Sequence, residues 1–389
     1  MEVIKLKRFF VFMTIITVLC NSQPSLKVSA LGVSARYACV IDALTGNVLF
    51  EKNAHERHSM ASTTKIMTAL VALENAELSD VVKVSNNAAG TEGSSIYLKS
   101  GEEITLEHLL YGLMLASGND AAIAIAEHVG GSVPNFAKMM TDKAKSLGLK
   151  NTSFKNPNGL DADGHYTTAY DLAIITRAAL ENEKFKEIVS TKTKNISNGN
   201  ESYMRTLSNH NKLLSLYNGC IGVKTGYTKK TGRCLVSAAE RDGFRIIAVT
   251  LNAPDDWNDH KNMLDNAFKN YRKKPLIIKD MILKTIPVEN GSLKRLELLA
   301  GDNFYITLTG KDDLSSIELT YQSPQKIEAP IKKGSVIGNI TISYKEKFLG
   351  KIDLLAGEDI IYQEPPKPTF DGVFYKLISY LISPEVFHA

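Results

Sequence analysis

Cys220-Ile221-Gly222-Val223-Lys224-Thr225-Gly226-Tyr227 opens the part of the chain from which the fold is read. Residues 220–225, 232–239 and 244–252 read as three strands, with Gly226 to Thr231 turning the first pair. A further hairpin lies at 36–51. Tyr37-Ala38-Cys39-Val40-Ile41 is a β-type run, Asp42 to Asn47 carries turn chemistry, and Val48-Leu49-Phe50 returns. The stretch between these strands is rich in helical patterns. Ser62 opens a helix with Ile66, Met67, Ala69, Leu70 and Leu73 at helical spacing. Thr105 caps a run of Leu106, Leu109, Leu110, Leu113 and Met114 that stops at Ser117-Gly118, and the next helix runs from Asn119-Asp120 to Gly130-Gly131. Pro134 suits the first turn of another helix, stopped by Gly148. Thr168 with Asp171 resembles a capping box for Leu172, Ile175 and Leu180, and a last helix covers about 258–270. Strands at both ends with a helical insertion between them predict an α+β domain, an antiparallel sheet flanked by helices.

Three short strings on this scaffold carry chemistry: Ser62-Thr63-Thr64-Lys65, Ser117-Gly118-Asn119 and Lys224-Thr225-Gly226. A serine hydroxyl is a weak nucleophile at neutral pH and needs a base beside it. Ser62 and Lys65, three apart, share a face if both are helical, so the amine reaches the hydroxyl. A charged lysine accepts no proton, but burial and the nearby cation Lys224 both favour the neutral amine. A serine at a helix start also meets aligned backbone N–H groups where an oxyanion develops. Ser117 and Asn119, in the tight link between two helices, are placed to relay a proton and to hold Lys65 or a substrate amide. Taken alone they read as a helix stop and an N-cap. Lys224-Thr225-Gly226 reads as an edge-strand segment. Gly226 lets a substrate backbone add as an extra strand, while Thr225 and Lys224 offer a hydroxyl and a cation to a terminal carboxylate. Tyr227 follows, and its backbone N–H is the second candidate oxyanion donor beside that of Ser62. The three strings together predict serine acyl transfer.

The other candidates are explained by structure. His55-Glu56-Arg57-His58 lacks the zinc-helix spacing, so no metal site is expected. Asp161 and Asp163 fit a loop and Asp171 a helix first turn. Cys39, Cys220 and Cys234 are too few for a disulfide framework, although Cys220 and Cys234 flank the Lys-Thr-Gly string and are a candidate cross-strand pair.

The 389 residues exceed one typical core, so more than one domain is expected. The net charge is +4, and Lys5, Lys7, Arg8 and Lys27 against Glu2 place most of it in the first thirty residues. The near-neutral remainder excludes a strongly basic nucleic-acid surface. Those basic residues precede the apolar run Phe9 to Cys20 and the small-residue site Val28-Ser29-Ala30, so 1–30 reads as a secretory signal peptide. The catalytic unit is then 31–272. From Lys273-Lys274-Pro275 the texture changes to short alternating strands such as 304–308 and 340–344, a small all-β domain over 273–364. Pro365-Pro366 and Pro368 form a stiff linker within 365–389. Phe370, Val373, Phe374, Leu377, Ile378, Leu381 and Ile382 then make one continuous helix face, which fits a helix lying in a membrane interface.

With those strings in place the chain resembles the low-molecular-weight penicillin-binding proteins, and specifically the serine-type D-alanyl-D-alanine carboxypeptidases. The resemblance extends to Asn158-Gly159-Leu160-Asp161-Ala162-Asp163-Gly164, to Ala329-Pro330-Ile331-Lys332-Lys333-Gly334 in the β domain, and to the amphipathic tail. It implies a beta-lactamase/transpeptidase-like fold and removal of the terminal D-alanine from peptidoglycan stem pentapeptides through an acyl-enzyme on Ser62. It implies catalytic roles for Ser62, Lys65, Ser117, Asn119 and Lys224, and substrate binding by Thr225, Gly226 and Tyr227. Beta-lactams would acylate the same serine, and no cofactor is implied. The expected location is the extracytoplasmic face of the cytoplasmic membrane, with peripheral anchoring. One departure concerns an arginine that many members carry after the last sheet strand to fix the substrate carboxylate. Here that stretch reads Asp255-Asp256-Trp257-Asn258-Asp259-His260. The rival readings are a serine beta-lactamase, for which no E-x-x-L-N loop is recognisable, and a non-catalytic wall- or penicillin-binding module.

Overall fold

A computed structural model of the chain describes residues 31–197, 204–309, 314–344, 347–364, 374 and 376–378. Strands β1 (Tyr37–Asp42) and β2 (Val48–Lys52) form the first hairpin, and a 3-10 turn at Ala61–Thr64 leads into α1 (Lys65–Asn75). The insertion follows as β3 (Val81–Lys83), α2 (Asn86–Ala89), β4 (Glu103–Thr105), α3 (Leu106–Leu115), α4 (Asn119–Gly130), α5 (Val133–Ser146), α6 (Ala169–Leu180) and α7 (Glu183–Ser190). A small hairpin, β5 (Thr193–Ser197) and β6 (Met204–Ser208), and α8 (Leu213–Leu216) precede β7 (Cys220–Thr228), β8 (Gly232–Arg241), β9 (Phe244–Leu251) and α9 (Asp256–Asn270). The main sheet has the order β2-β1-β9-β8-β7, so β7 is an edge strand.

Helix boundaries follow local chemistry. Thr105 Oγ1 accepts the His108 N–H at 3.3 Å, and Thr168 Oγ1 accepts that of Asp171 at 2.9 Å, each satisfying an orphan donor of a first helical turn. In α3 eight of the ten residues are buried, because the helix is apolar on nearly all sides and is packed from every direction. β1 is buried along its whole length, and so is the apolar run of β8 and most of β9, as expected of strands covered on both faces.

Two local expectations are corrected, and the open Cys220–Cys234 pairing is not formed. Ser62 lies in the 3-10 turn rather than at the start of the α-helix, and Lys65 is the first α residue. The tighter winding eclipses side chains at i and i+3, which aims Lys65 directly along Ser62. β7 continues as strand through Gly226 to Thr228, so the turn shrinks to 229–231. Cys39, Cys220 and Cys234 are all free thiols. A connection this short forces β7 and β8 antiparallel. Cys220 at the far end of β7 and Cys234 near the turn end of β8 therefore lie apart.

The chain divides into two compact units. One comprises the described residues of Met1–Val40, Phe50–Ser237 and Ala248–Asn266; the other comprises those of Ile41–Leu49, Ala238–Ile247 and Ala267–Ala389. The second contains β10 (Tyr271–Ile277), β11 (Ile282–Glu289), β12 (Arg295–Ala300), β13 (Phe304–Thr309), β14 (Ile317–Gln322), β15 (Ile327–Glu328), β16 (Val336–Tyr344) and β17 (Lys347–Ala356). A six-stranded sheet runs β14-β16-β17-β12-β11-β15, and β10 pairs β13. Alternate residues such as Ile286, Leu296, Leu298, Ile340, Ile342, Ile352 and Leu354 point into one apolar core. Of the expected amphipathic face, Phe370, Val373, Leu381 and Ile382 lie outside the described residues, and so does the segment 1–30. Phe374, Leu377 and Ile378 are exposed.

Candidate active site

The turn at Ala61–Thr64 is locked from two sides. A Cβ added to Gly226 of β7 would lie 3.1 Å from the backbone nitrogens of Ser62 and Thr63. The glycine therefore lets the edge strand close onto the serine turn, a reason beyond the room it gives a substrate. On the other side Gly159, at φ +88°, packs against the Ala61 carbonyl. Lys65 Nζ reaches three oxygens: Asn158 O at 2.6 Å, Asn119 Oδ1 at 2.7 Å and Ser62 Oγ at 3.0 Å. The two carbonyl oxygens can only accept, so they take both hydrogens of a neutral amine. Its lone pair is then left facing the Ser62 hydroxyl.

Electrostatics favour that neutral form. Lys65 is completely buried, and burial, with the Lys224 cation next in weight, holds its pKa well below the usual lysine value, while Asp120 acts the other way. Lys224 is itself buried, which brings it down to about 7, and its Nζ donates to Thr225 O at 3.0 Å. Asp120 is occupied structurally. Its carboxylate accepts from Ser95 Oγ at 2.6 Å and from the N–H groups of Ile96 and Leu98, which shapes the loop beside the cleft.

Asn119 has a defined orientation because its Nδ2 donates to Glu92 O at 2.7 Å, leaving Oδ1 for Lys65. Ser117, between α3 and α4, adopts φ +61°, a left-handed conformation unfavourable for a serine but one that swings its side chain into the cleft. The cleft has a volume of about 330 Å³, and Ser62, Ser117, Thr225, Gly226 and Tyr227 all line it. All eight residues singled out in the sequence thus converge on this cleft or directly beneath it.

Other residues there were not found from the sequence. Arg233 of β8 lines the cleft, and its Nε donates to Asp256 Oδ1 at 3.0 Å at the start of α9. The guanidinium is half-exposed, whereas the Asp256 carboxyl is buried and its pKa is raised by that burial against the opposing influence of Arg233. An arginine is therefore present at the cleft, supplied by a strand neighbouring β7 instead of by the 255–260 stretch. Ser94, His210 and Trp257 line the cleft as well. No motif marks any of these; only the juxtaposition of distant segments does. Asp161 accepts from Thr228 and Thr231, and Asp171 accepts from Asn151 N and Thr152 Oγ1, so both serve structure. His58 Nε2 meets Thr231 O at 3.0 Å, and among the described residues no group of three or more His, Cys, Asp or Glu side chains is placed to hold a metal ion.

Residues 24–255 match the family described as D-alanyl-D-alanine carboxypeptidase, and residues 271–361 match the penicillin-binding protein 5 C-terminal domain. The chain is 37% identical over 353 residues to D-alanyl-D-alanine carboxypeptidase DacF of Bacillus subtilis, covering 87% of this chain and 89% of that one. It is 32% identical over 356 residues to DacC of Escherichia coli, covering 86% of each. Among solved structures, penicillin-binding protein 5 of Haemophilus influenzae superposes with a TM-score of 0.68 at 29% identity, covering 85% of this chain and 98% of the other. The matches span the serine turn, the insertion, the edge strand and the β domain alike. The chain belongs to the D-alanyl-D-alanine carboxypeptidase family of serine peptidases.

Proposed function

We propose that this protein removes the terminal D-alanine from peptidoglycan stem pentapeptides through an acyl-enzyme on Ser62. The observation that carries the reading is the buried Lys65 amine, whose Nζ lies 2.7 Å from Asn119 Oδ1, 2.6 Å from Asn158 O and 3.0 Å from Ser62 Oγ. The substrate lies along the edge of β7 as an added strand. Lys65 takes the Ser62 proton as Oγ bonds to the carbonyl carbon of the penultimate D-alanine. The backbone N–H groups of Ser62 and Tyr227 hold the oxyanion. The C–N bond then breaks, Ser117 passes a proton to the departing amine with Lys224 beneath it, and D-alanine leaves. The proton that Ser117 gives up is replaced from Lys65, which is neutral again once D-alanine has left. Water then attacks the ester, Lys65 takes its proton and returns it to Oγ, and Ser62 is restored. Asn119 fixes Lys65 throughout. Thr225 and Arg233 hold the terminal carboxylate, the guanidinium doing so through the nitrogens that Asp256 does not engage. Beta-lactams acylate Ser62 by the same first step.

The deciding experiment measures D-alanine released from a synthetic pentapeptide by wild type beside Ser62→Ala. Release by wild type alone, with loss of labelled-penicillin attachment in the mutant, is expected. Release no greater than that of the mutant would remove the carboxypeptidase reading.

The same reading places the enzyme outside the cytoplasm, on the surface of the cytoplasmic membrane. It is supported by the signal-peptide pattern of 1–30 and by the apolar face over 370–382, of which Phe374, Leu377 and Ile378 are exposed. Among the described residues no helix is long and apolar enough to cross a membrane. Deleting 367–389 is expected to free the protein from sedimented membranes, and continued sedimentation would count against the anchor.

A further inference from the structure

His210 belongs to no motif, yet the chain fixes its place closely. Asn209 Nδ2 donates to Val189 O at 3.2 Å and to Thr191 O at 3.0 Å, and its Oδ1 accepts from Asn211 N at 2.9 Å. Asn211 Oδ1 accepts from Leu213 N at 3.1 Å. The asparagines on either side of His210 thus spend their side chains on backbone. Between them the His210 N–H donates to Leu115 O at 3.2 Å, in the last turn of the helix that delivers Ser117. The arrangement is held at a cost, since Asn211 is buried and its Nδ2 has no partner among the described residues. The His210 ring is exposed at the wall of the cleft, and no hydrogen bond from it to protein is found among the described residues.

The charges around this ring indicate what it meets. Lys224 of β7 is close enough to disfavour its protonated form, and Lys65 of α1 lies buried below. Arg233 of β8 and Asp256 of α9 line the same cleft, and Asp256 is the one acidic group among the lining residues, already engaged by Arg233. Arg233 at the cleft wall and Lys224 beside the ring are thus the groups suited to a substrate whose negative charge lies at its C-terminus. We propose that His210 is a substrate-contacting residue that reads the C-terminal carboxylate of the peptide together with Lys224, Thr225 and Arg233. The inference rests on the carboxypeptidase reading and names the residue within that site that separates a free acid from an amide.

Partial desolvation at the cleft wall, and then Lys224, lower the His210 pKa from its ordinary value, so the ring is neutral at pH 7.5 and serves there as an N–H donor. Protonated at lower pH, the ring gains charge and attracts a carboxylate more strongly. Binding, not turnover, tests the assignment without relying on catalysis. In the full-length Ser62→Ala protein, calorimetric titration with a pentapeptide ending in D-alanine free acid is compared with the same peptide ending in D-alanine amide. Adding His210→Ala is expected to cut the preference for the acid about tenfold and to leave amide affinity and melting temperature unchanged. His210→Gln keeps a donor amide, so it recovers most of the preference at pH 7.5 but loses the tightening at lower pH. An unchanged acid-to-amide ratio in His210→Ala, or equal weakening of both peptides, overturns the assignment. Failure of wild type to release D-alanine would instead strike the carboxypeptidase reading, since the binding ratio is measured without turnover.

Discussion

A Cβ built on Gly159 would stand 2.0 Å from the Ala61 carbonyl oxygen, and Gly159 holds φ +88°, where side chains are strained in any case. The neighbouring Asn158 carbonyl accepts from Lys65, so this contact connects the loop at 158–164 to the base. Gly159→Ala is expected to destabilise the fold by roughly 3 kcal/mol and to reduce penicillin acylation at least about a hundredfold, because the Lys65 acceptor moves with the loop. Gly164→Ala is the control. It also has positive φ (+80°), but its Cβ would meet only the flexible end of Lys155. It should cost about 1 kcal/mol and keep acylation. Melting curves and labelled-penicillin rates on both variants decide the matter; similar acylation rates would mean that the Asn158 contact is dispensable.

Lys224 depresses the pKa of Lys65, after burial the larger cause. The acylation rate should therefore fall as pH drops and Lys65 gains a proton. Removing the cation raises the Lys65 pKa, so in Lys224→Ala the acid limb of the acylation profile moves to higher pH. Part of the lost rate should return on raising the pH. A limb that stays put, or moves down, would show that Lys224 does not set the charge of Lys65.

The fold was legible where periodicity is local. The Thr105 and Thr168 caps, the stop at Ser117-Gly118 and the edge position of 220–225 all follow from neighbours in sequence. The short elements escaped, among them β3, α2, β4 and α8. α7 has only eight residues, and the β5–β6 hairpin carries polar residues on strands too short to show alternation. The 3-10 winding at Ser62 also escaped, and the glycines packed against it, Gly159 and Gly226, come from distant segments. The catalytic strings were readable because nucleophile and base lie one turn apart. Arg233 and His210 were not, for a different reason. Their place depends on strand pairing and on a pinned loop, which put residues 148 to 171 positions from Ser62 into its cleft.

Arg233 is free to bind an anion through nitrogens other than the Nε held by Asp256. A charge-assisted hydrogen bond to a carboxylate contributes about 1.5–3 kcal/mol, so Arg233→Gln should raise KM for the free-acid pentapeptide roughly 10- to 100-fold. The serine, base and relay are untouched, so kcat should change only a few-fold. Arg233→Lys keeps the charge without the planar fork and should fall between. Steady-state D-alanine release settles it. A loss confined to kcat, with KM unchanged, would place Arg233 outside the carboxylate site.

His260 links pH to stability rather than to chemistry. It is fully buried between Ser237 Oγ, 2.6 Å from Nδ1, and Thr250 Oγ1, 3.0 Å from Nε2. Burial lowers its pKa to about 3, and His165, hydrogen-bonded to Thr64 at 2.8 Å, is lowered to about 4. The folded state therefore keeps both rings neutral, while the unfolded chain protonates them near pH 6.5. Stability from these groups is complete above about pH 6.5 and falls as pH drops toward 4, by up to about 1.4 kcal/mol per pH unit for each ring. Urea midpoints between pH 7.5 and 4.5 should decline accordingly. His260→Asn retains a hydrogen-bonding side chain that does not titrate, so it should be less stable at pH 7.5 yet show a shallower decline. If wild type and variant fall in parallel, His260 is not the source of the acid sensitivity.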